Sequence, residues 1–350
     1  MGFVVVMGKP MATSQDFANW VCGPDLDYRY LKYALLVEQA SLRRFSYGST
    51  HQTIYYPELK AFHICAPSRA EQARIADVLQ MLDDKIELNR KTAATLEEMA
   101  RALYRSWFVD FDPVHARAEG RAPAPMDSVT AALFPDSIGE DGLPVGWETS
   151  TIGAVAEVVG GSTPPTKEER FWIGGEHAWA TPKDLSNLGQ AFLFETERKV
   201  TPDGLAKITS RLSPPGTLLL SSRAPIGYLA LATMPVAVNQ GFIAIRETAS
   251  ISGIEAYFWC AENMDLIHAS ANGSTFQEIS KQNFRPLAYT LAPAPVRDAF
   301  NVDAGLWFAR MRELMAENRT LATLRDSLLP RLMSGELRVG AAREMIEDAA

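Results

Sequence analysis

The sequence is poor in the residues that usually announce chemistry. It holds three cysteines, Cys22, Cys65 and Cys260, scattered and without a Cys-x-x-Cys spacing. That excludes a disulfide framework and a zinc-binding knuckle, and it fits a reducing cytoplasm. The five histidines (His51, His63, His115, His177 and His268) are spread out, no two at a helical metal-ligand spacing. No Gly-x-x-x-x-Gly-Lys-Ser/Thr loop is present to cradle a nucleotide's phosphates. The glycines between Gly153 and Gly161 lack the Gly-x-Gly-x-x-Gly order, and no serine sits in a Gly-x-Ser-x-Gly elbow. No Asn/Asp-Pro-Pro-Tyr/Phe run of an amino-methyltransferase occurs; Asp112-Pro113-Val114 reads as a linker turn. A free-standing enzyme is therefore disfavoured, and no catalytic residue, cofactor or metal ligand is expected.

Long apolar runs are missing too. Runs such as 218–220 and 228–232 are strand-sized and too short for a membrane span. Residues 1–7 are apolar but too few for a signal peptide, and they lack a basic start. Positive charge is also scarce: the formal net charge is -8. That argues against a protein gripping nucleic acid by bulk electrostatics alone.

What the sequence does have is periodicity. From Arg69 to Phe108 the residues Ile75, Leu79, Leu82, Ile86, Asn89, Ala93, Leu96, Ala100, Leu103 and Trp107 recur at alternating steps of four and three. The intervening faces are charged, and no Gly or Pro interrupts the run. The spacing predicts a helix of roughly 55 Å with a narrow coiled-coil stripe. Such a stripe needs a partner. Residues 300–332 offer one, with Phe300, Ala304, Trp307, Met311, Leu314, Asn318, Leu321 and Leu328 on the same spacing. This second stripe is weaker because Arg325 takes a seam position. Each stripe carries one Asn, and an antiparallel pair would set Asn89 against Asn318 near the centre, fixing register at some cost in stability.

A mixed region precedes each long helix. In the first, residues 3–6 and 59–65 read as strands, 28–45 as a helix and 47–50 as a turn. A linker-like stretch follows the first long helix, with Pro113, Pro123, Pro125, Pro135 and Pro144 and a short helical turn at 129–134. In the second region, 155–159, 218–221, 226–232 and 242–245 read as strands and 252–270 as a helix. Residues 339–350 read as an acidic, frayed tail.

The two mixed regions repeat each other at a shift of 225 residues. Gly2, Pro10, Ala12, Gln15 and Phe17 meet Gly227, Pro235, Ala237, Gln240 and Phe242. Gly48, Ser49, Thr50, Gln52 and Ile54 meet Gly273, Ser274, Thr275, Gln277 and Ile279. Those ten identities fall within 53 ungapped positions, where chance at average residue usage gives roughly three. Met1 aligns with Ile226, so the first module is expected to lack its front half. The plan is module, helix, linker, module, helix. Two readers held at a fixed separation suit a bipartite DNA sequence, because a spacer of roughly 55 Å exceeds one DNA turn of about 34 Å.

Several stretches resemble the specificity subunit of type I restriction-modification systems. They include Gln52-Thr-Ile-Tyr-Tyr-Pro-Glu-Leu-Lys60 with Pro67-Ser-Arg-Ala-Glu-Gln72, and Leu103-Tyr-Arg-Ser-Trp-Phe-Val-Asp-Phe-Asp-Pro-Val114. Leu133-Phe-Pro-Asp136, Leu143-Pro-Val-Gly-Trp147, Thr181-Pro-Lys-Asp-Leu185 and Ser222-Arg-Ala-Pro-Ile-Gly227 match the entry into a target-recognition domain. Leu328-Leu-Pro-Arg-Leu-Met-Ser-Gly-Glu-Leu337 matches the end of the second long helix. The resemblance covers nearly the whole chain and is specific in combination. It implies an α+β fold in which mixed α/β target-recognition modules are joined by two long helices forming an antiparallel coiled coil. The expected divisions are a partial first recognition domain at 1–68, the first helix at 69–109, a linker at 110–143, a complete recognition domain at 144–295, the second helix at 296–336 and a tail at 337–350. The implied subunit is non-enzymatic. Its partners are double-stranded DNA, two methylation subunits and, through them, the restriction and motor subunits; self-association stays open, since a second copy could complete the first module. The rival reading is a coiled-coil adaptor, or a decayed relative, that joins proteins without reading bases.

Candidate DNA contacts follow from side-chain chemistry. Lys183, Arg211, Arg223 and Lys281 are the basic candidates, since Arg is the commonest bidentate reader of guanine and Lys a usual phosphate contact. Gln240 could read adenine or satisfy buried backbone. Gly273, Ser274 and Thr275 offer free amides and hydroxyls for close approach to the backbone of DNA. Between Pro144 and Pro295 there are 11 Lys and Arg against 14 Asp and Glu. The partners are therefore expected to supply most phosphate contacts, while this chain supplies sequence.

Overall fold

The computed structural model describes residues 3–44, 54, 56–123, 126–186, 188–273 and 277–348. The chain divides into two compact units, one of residues 1–93 with 313–350 and the other of 94–312. Each unit contains part of both long helices.

In the first unit, α1 (Tyr28–Val37) and α2 (Gln39–Arg44) lead to a short α3 (Tyr56–Lys60) and then into α4 (Arg69–Phe108). The seam residues Ile75, Leu79, Leu82, Ile86, Asn89 and Ala93 are all buried. Leu79 and Leu82 share a cluster with Tyr30 and Tyr33 of α1 and with Leu328 and Leu332 of the second long helix. Asp83 pairs with Arg325 and Asn89, further along α4, with the earlier Asn318, which makes the two helices antiparallel here. The polar intrusion at Arg325 is answered by an ion pair: its Nη1 lies 2.8 Å from Asp83, which also takes Lys32 at 2.6 Å and the Tyr33 hydroxyl at 2.8 Å.

Asp27 caps α1, accepting from the Arg29 backbone N–H, and its buried carboxylate is clasped by the Arg29 and Arg69 guanidinium groups. Burial alone would raise its pKa. The hydrogen bonds from Arg29 and Arg69 outweigh that and hold it at about 2. A carboxyl depressed in the folded state stabilises fully above its unfolded pKa, and the contribution fades as pH falls from about 4 toward 2. Asp27→Asn keeps a capping group but removes the charge. It should cost ~2 kcal/mol at pH 7 and progressively less below pH 4; urea unfolding at pH 7 and pH 3 measures the difference.

The first region contains none of the expected strands. Residues 3–6 and 62–65 are irregular, and 56–60 are helical. The reason lies in pairing. The repeat mates of 3–6, residues 228–231, lie in a strand that hydrogen-bonds to Leu218–Ser222, and those of 62–65, residues 287–290, overlap a strand that pairs with Glu148–Thr151. Among the described residues of the first unit, no strand offers that partnership. Phe3, Val5 and Val21 are exposed accordingly. The expected turn at 47–50 lies outside the described residues. The tail is a correction as well: α14 (Val339–Glu347) is helical, and its Ala342 is buried in the cluster around Leu79.

The second unit begins within α4, at Ala94. Its linker-like stretch is more ordered than its prolines suggest. After α4 comes α5 (Asp112–Ala118), with Pro113 in the first turn, where its missing N–H costs nothing, and with Val114 buried. Asp112-Pro113-Val114 is therefore the start of a helix, not a linker turn. The short α6 (Ser128–Ala131) precedes Phe134, which packs edge-on to Trp107 with ring centroids 5.0 Å apart.

Two strands then bracket the module: β1 (Glu148–Thr151) pairs antiparallel with β10 (Ala288–Leu291). Between them, α7 (Ile152–Val155) leads to β2 (Glu157–Gly160), followed by β3 (His177–Ala180), α8 (Pro182–Ser186), β4 (Phe192–Leu193), β5 (Arg198–Val200) and α9 (Pro202–Ala206). Next come β6 (Leu218–Ser222), β7 (Ile226–Ala232), β8 (Val236–Val238), β9 (Phe242–Arg246), α10 (Gly253–Glu262), α11 (Met264–Ala269) and α12 (Lys281–Phe284). A five-stranded sheet has the order β2-β9-β6-β7-β4, and a three-stranded sheet the order β5-β3-β8. The helix expected over 252–270 is two helices, broken at Asn263.

The second long helix is α13 (Ala294–Met333). In this unit it packs on α4 and α10 through rings: Phe300, fully buried, meets Tyr104, Phe108 and Phe258. The apolar stripe shifts here. Tyr104 and Phe308 are buried, while Leu103 and Trp307, the positions expected on the seam, are half-buried. Phe308 turns toward Tyr257 and Phe258 of α10 and Phe192 of β4. The helix thus buries a face against α10 and β4 as well as one against α4.

The 225-residue shift extends to the helices. It carries α1 onto α10, α2 onto α11 and α4 onto α13 with identical start and end positions. It even relates two unlike side chains in one task. Gln72 Nε2 donates to the Pro67 and Asp25 carbonyls, and Arg297, its mate, donates to the Ala292 and Ala249 carbonyls.

Candidate functional site

Five loops of the second unit converge at one rim of its sheets, held by backbone contacts. The Asn239 N–H donates to Ala180, the Ser162 N–H to Val238, the Ser222 N–H to Gly241 and the Ile279 N–H to Ser222, all at 2.8–3.1 Å. Arg223 and Glu278 form an isolated bridge, and Gly241 lies against Pro182. The rim therefore joins 160–163, 181–184, 222–225, 239–241, 272–273 and 277–281.

This rim gathers most of the residues singled out from sequence. Lys183 is exposed on α8 and pairs with Glu197 at 2.7 Å. That contact raises the pKa of its ammonium, so it is charged at neutral pH. The turn before it is rigid: Asp184 accepts from the Thr181 N–H and hydroxyl and from the Glu197 N–H. Arg223 is half-exposed and pairs with Glu278 at 3.5 Å. Gln240 is exposed and accepts from the Thr163 hydroxyl, so it does not satisfy buried backbone. Lys281 lies over the Gly160 backbone, where a methyl group would meet its ammonium at 3.0 Å. Gly273 adopts φ +97°, a conformation other residues rarely take. Ser274 and Thr275 lie outside the described residues.

Arg211 is not part of this constellation. It sits in a turn with φ +56°, two residues before Ser213, which bridges to Val236 at the end of β8 away from Asn239 and Gln240. Asn89 and Asn318 do meet, in the first unit: Asn89 Nδ2 donates to Asn318 Oδ1 at 3.0 Å and to Glu317 at 2.9 Å, while Asn318 Nδ2 donates to the Ile86 carbonyl.

One group at the rim was not singled out. The indole N–H of Trp179 donates to the Ser162 carbonyl and that of Trp172 to the Pro165 carbonyl. The two rings pack edge-on, 4.9 Å apart. The Arg198 guanidinium lies 3.6 Å from the Trp172 ring centre and 5.2 Å from that of Trp179.

A family model for the type I restriction modification DNA specificity domain matches residues 1–98 and 144–293. The chain belongs to that family. Among curated relatives, the type I restriction enzyme MjaIX specificity subunit of Methanocaldococcus jannaschii is 39% identical over 139 residues, 39% of this chain and 32% of that protein. The HindI specificity subunit of Haemophilus influenzae is 25% identical over 336 residues, 83% of this chain and 72% of that protein. The chain thus spans about a third of the first relative and nearly three quarters of the second. The solved type I restriction-modification S subunit from M. genitalium is 18% identical, with a TM-score of 0.49, covering 88% of this chain and 73% of that one. Family membership disfavours the adaptor reading. Among the described residues no cluster of potential metal ligands occurs, and no helix is long and apolar enough to cross a membrane.

Proposed function

We propose that this chain is the DNA-sequence-specificity subunit of a type I restriction-modification complex, cytoplasmic and without catalysis of its own. Its 144–295 module reads one half of a split site. The observation that carries this reading is the convergence of Lys183, Arg223, Gln240 and Lys281 on one loop rim within a chain of this family. In the proposed roles Lys183 and Lys281 meet phosphates, Arg223 and Gln240 face base edges, and Gly273 lets the backbone come close. The Asn89–Asn318 pair sets the register of the long helices, which serve as the platform for two methylation subunits and, through these, the restriction and motor subunits.

The rim's cations are partly answered by Glu197 and Glu278. Isolated, the chain should therefore bind DNA weakly and salt-sensitively, and tight binding that ignores salt would contradict the assignment. The direct test is co-purification with the methylation subunit encoded beside it, followed by genome-wide mapping of methylated adenines. A split motif supports two readers, and a half-motif or its palindrome supports reading by 144–295 alone. A stable complex without methylation favours an adaptor, and absence of any complex sinks the assignment of the helices.

A further inference from the structure

We infer that Arg198 reads a guanine in the half-site contacted by the 144–295 module, with Trp172 and Trp179 as the platform that aims it; this rests on the DNA-reading function proposed above. Arg198 lies on β5, where its register partner across the ladder is Trp179. Its guanidinium sits on Trp172 at a separation short enough for flat stacking and also reaches Trp179. Stacking of this kind removes most of the rotamer freedom of a long side chain while leaving its N–H fork unspent. Among the described residues, no carboxylate pairs with Arg198 and none of its side-chain N–H groups donates a hydrogen bond. Four other basic side chains of the module are held by carboxylates: Lys183 by Glu197, Arg223 by Glu278, Arg170 by Glu168 and Arg246 by Glu157.

The platform is tied to the rim. The two indole N–H groups anchor both ends of loop 162–165, and Thr163 in that loop contacts Gln240. The residue before Arg198, Glu197, closes on Lys183. Arg198 therefore belongs to the same rim as the candidate phosphate and adenine contacts, with its donors uncommitted. A planar fork of N–H groups fits the O6 and N7 acceptors of guanine in the major groove, and an ammonium does not reproduce that bidentate geometry.

The test uses the full chain assembled with its methylation subunit, comparing wild type, Arg198→Lys and Arg198→Gln. Methylation mapping defines the wild-type motif. Arg198→Lys should assemble and melt like wild type yet lose preference at one guanine of this half-site by roughly 5- to 150-fold, the worth of one good bidentate pair. Replacing that guanine with 7-deazaguanine should weaken wild-type binding and leave Arg198→Lys binding unchanged. If both variants keep every guanine preference and only melt earlier, Arg198 is merely the lid of the Trp179 cluster and the inference falls. A wild-type half-site without guanine overturns it as well. A wild-type complex yielding no motif overturns the DNA-reading function itself, an outcome separable from the other two.

Discussion

Phe300→Ala should destabilise the chain by ~3–5 kcal/mol, the cost of emptying a fully buried aromatic site that cannot collapse. Phe300 is fully buried where α4, α10 and α13 meet. Its ring touches Tyr104, Phe108 and Phe258 at centroid separations of 5.2–6.5 Å, mostly edge to face. Truncation removes the transfer energy and also the edge-to-face terms, and the flanking rings are too rigid to fill the void. The loss is local to the place where the recognition module is seated on the helices. Tyr257 donates to Glu97 there at 2.7 Å, and Arg101 and Arg105 face Glu262 at 3.5–3.6 Å. Chemical denaturation of the isolated chain measures the loss, with Phe300→Leu expected to retain more than half of the stability lost by Phe300→Ala.

The long helices were the most legible part of the sequence, because a heptad stripe states its own period and buried partner. Arg325 looked like a flaw in that stripe and is explained by Asp83, a residue 242 positions away that periodicity cannot connect. The stripe misled at Trp307: a narrow seam assumes one partner, and α13 buries Phe308 because it has two. Four strands of the second module, β2, β6, β7 and β9, were legible from their apolar runs and the other six among the described residues were not, and the same inference failed for residues 3–6. A strand is defined by its neighbour, so a repeat in sequence does not guarantee one in secondary structure. Among the candidate contacts, side-chain type picked out Lys183, Arg223, Gln240 and Lys281, which share one rim, and also Arg211, which lies apart from it and which local sequence cannot distinguish from them. Arg198 was invisible for the opposite reason. It stands in a run of charged residues that reads as a solvated face, and the two tryptophans that orient it are 19 and 26 positions earlier.

Gly161→Ala should abolish sequence reading by the assembled complex while leaving the helices and the assembly intact. A methyl group at Gly161 would collide with the backbone carbonyls of Val238 and Asn239, neither of which can rotate away as a side chain would. Loop 162–165 must therefore detach. It then loses the Ser162 N–H bond to Val238, the Thr163 contact to Gln240 and the Trp179 anchor. The two groups proposed to face bases, Gln240 and Arg198, lose their support together. At ~1–3 kcal/mol for each good base contact, the combined loss of discrimination is on the order of 10²-fold or more. The control is Gly305→Ala on α13, where a methyl group meets nothing within 4 Å. There the helix should gain up to ~1 kcal/mol, and methylation should be unchanged. If Gly161→Ala methylates the wild-type motif at the wild-type level, the rim does not contact DNA. If it also fails to bind the methylation subunit, the damage has spread beyond the loop, and contact with DNA must be judged instead from Lys281→Ala, an exposed position whose loss should lower the salt slope of DNA binding by about one.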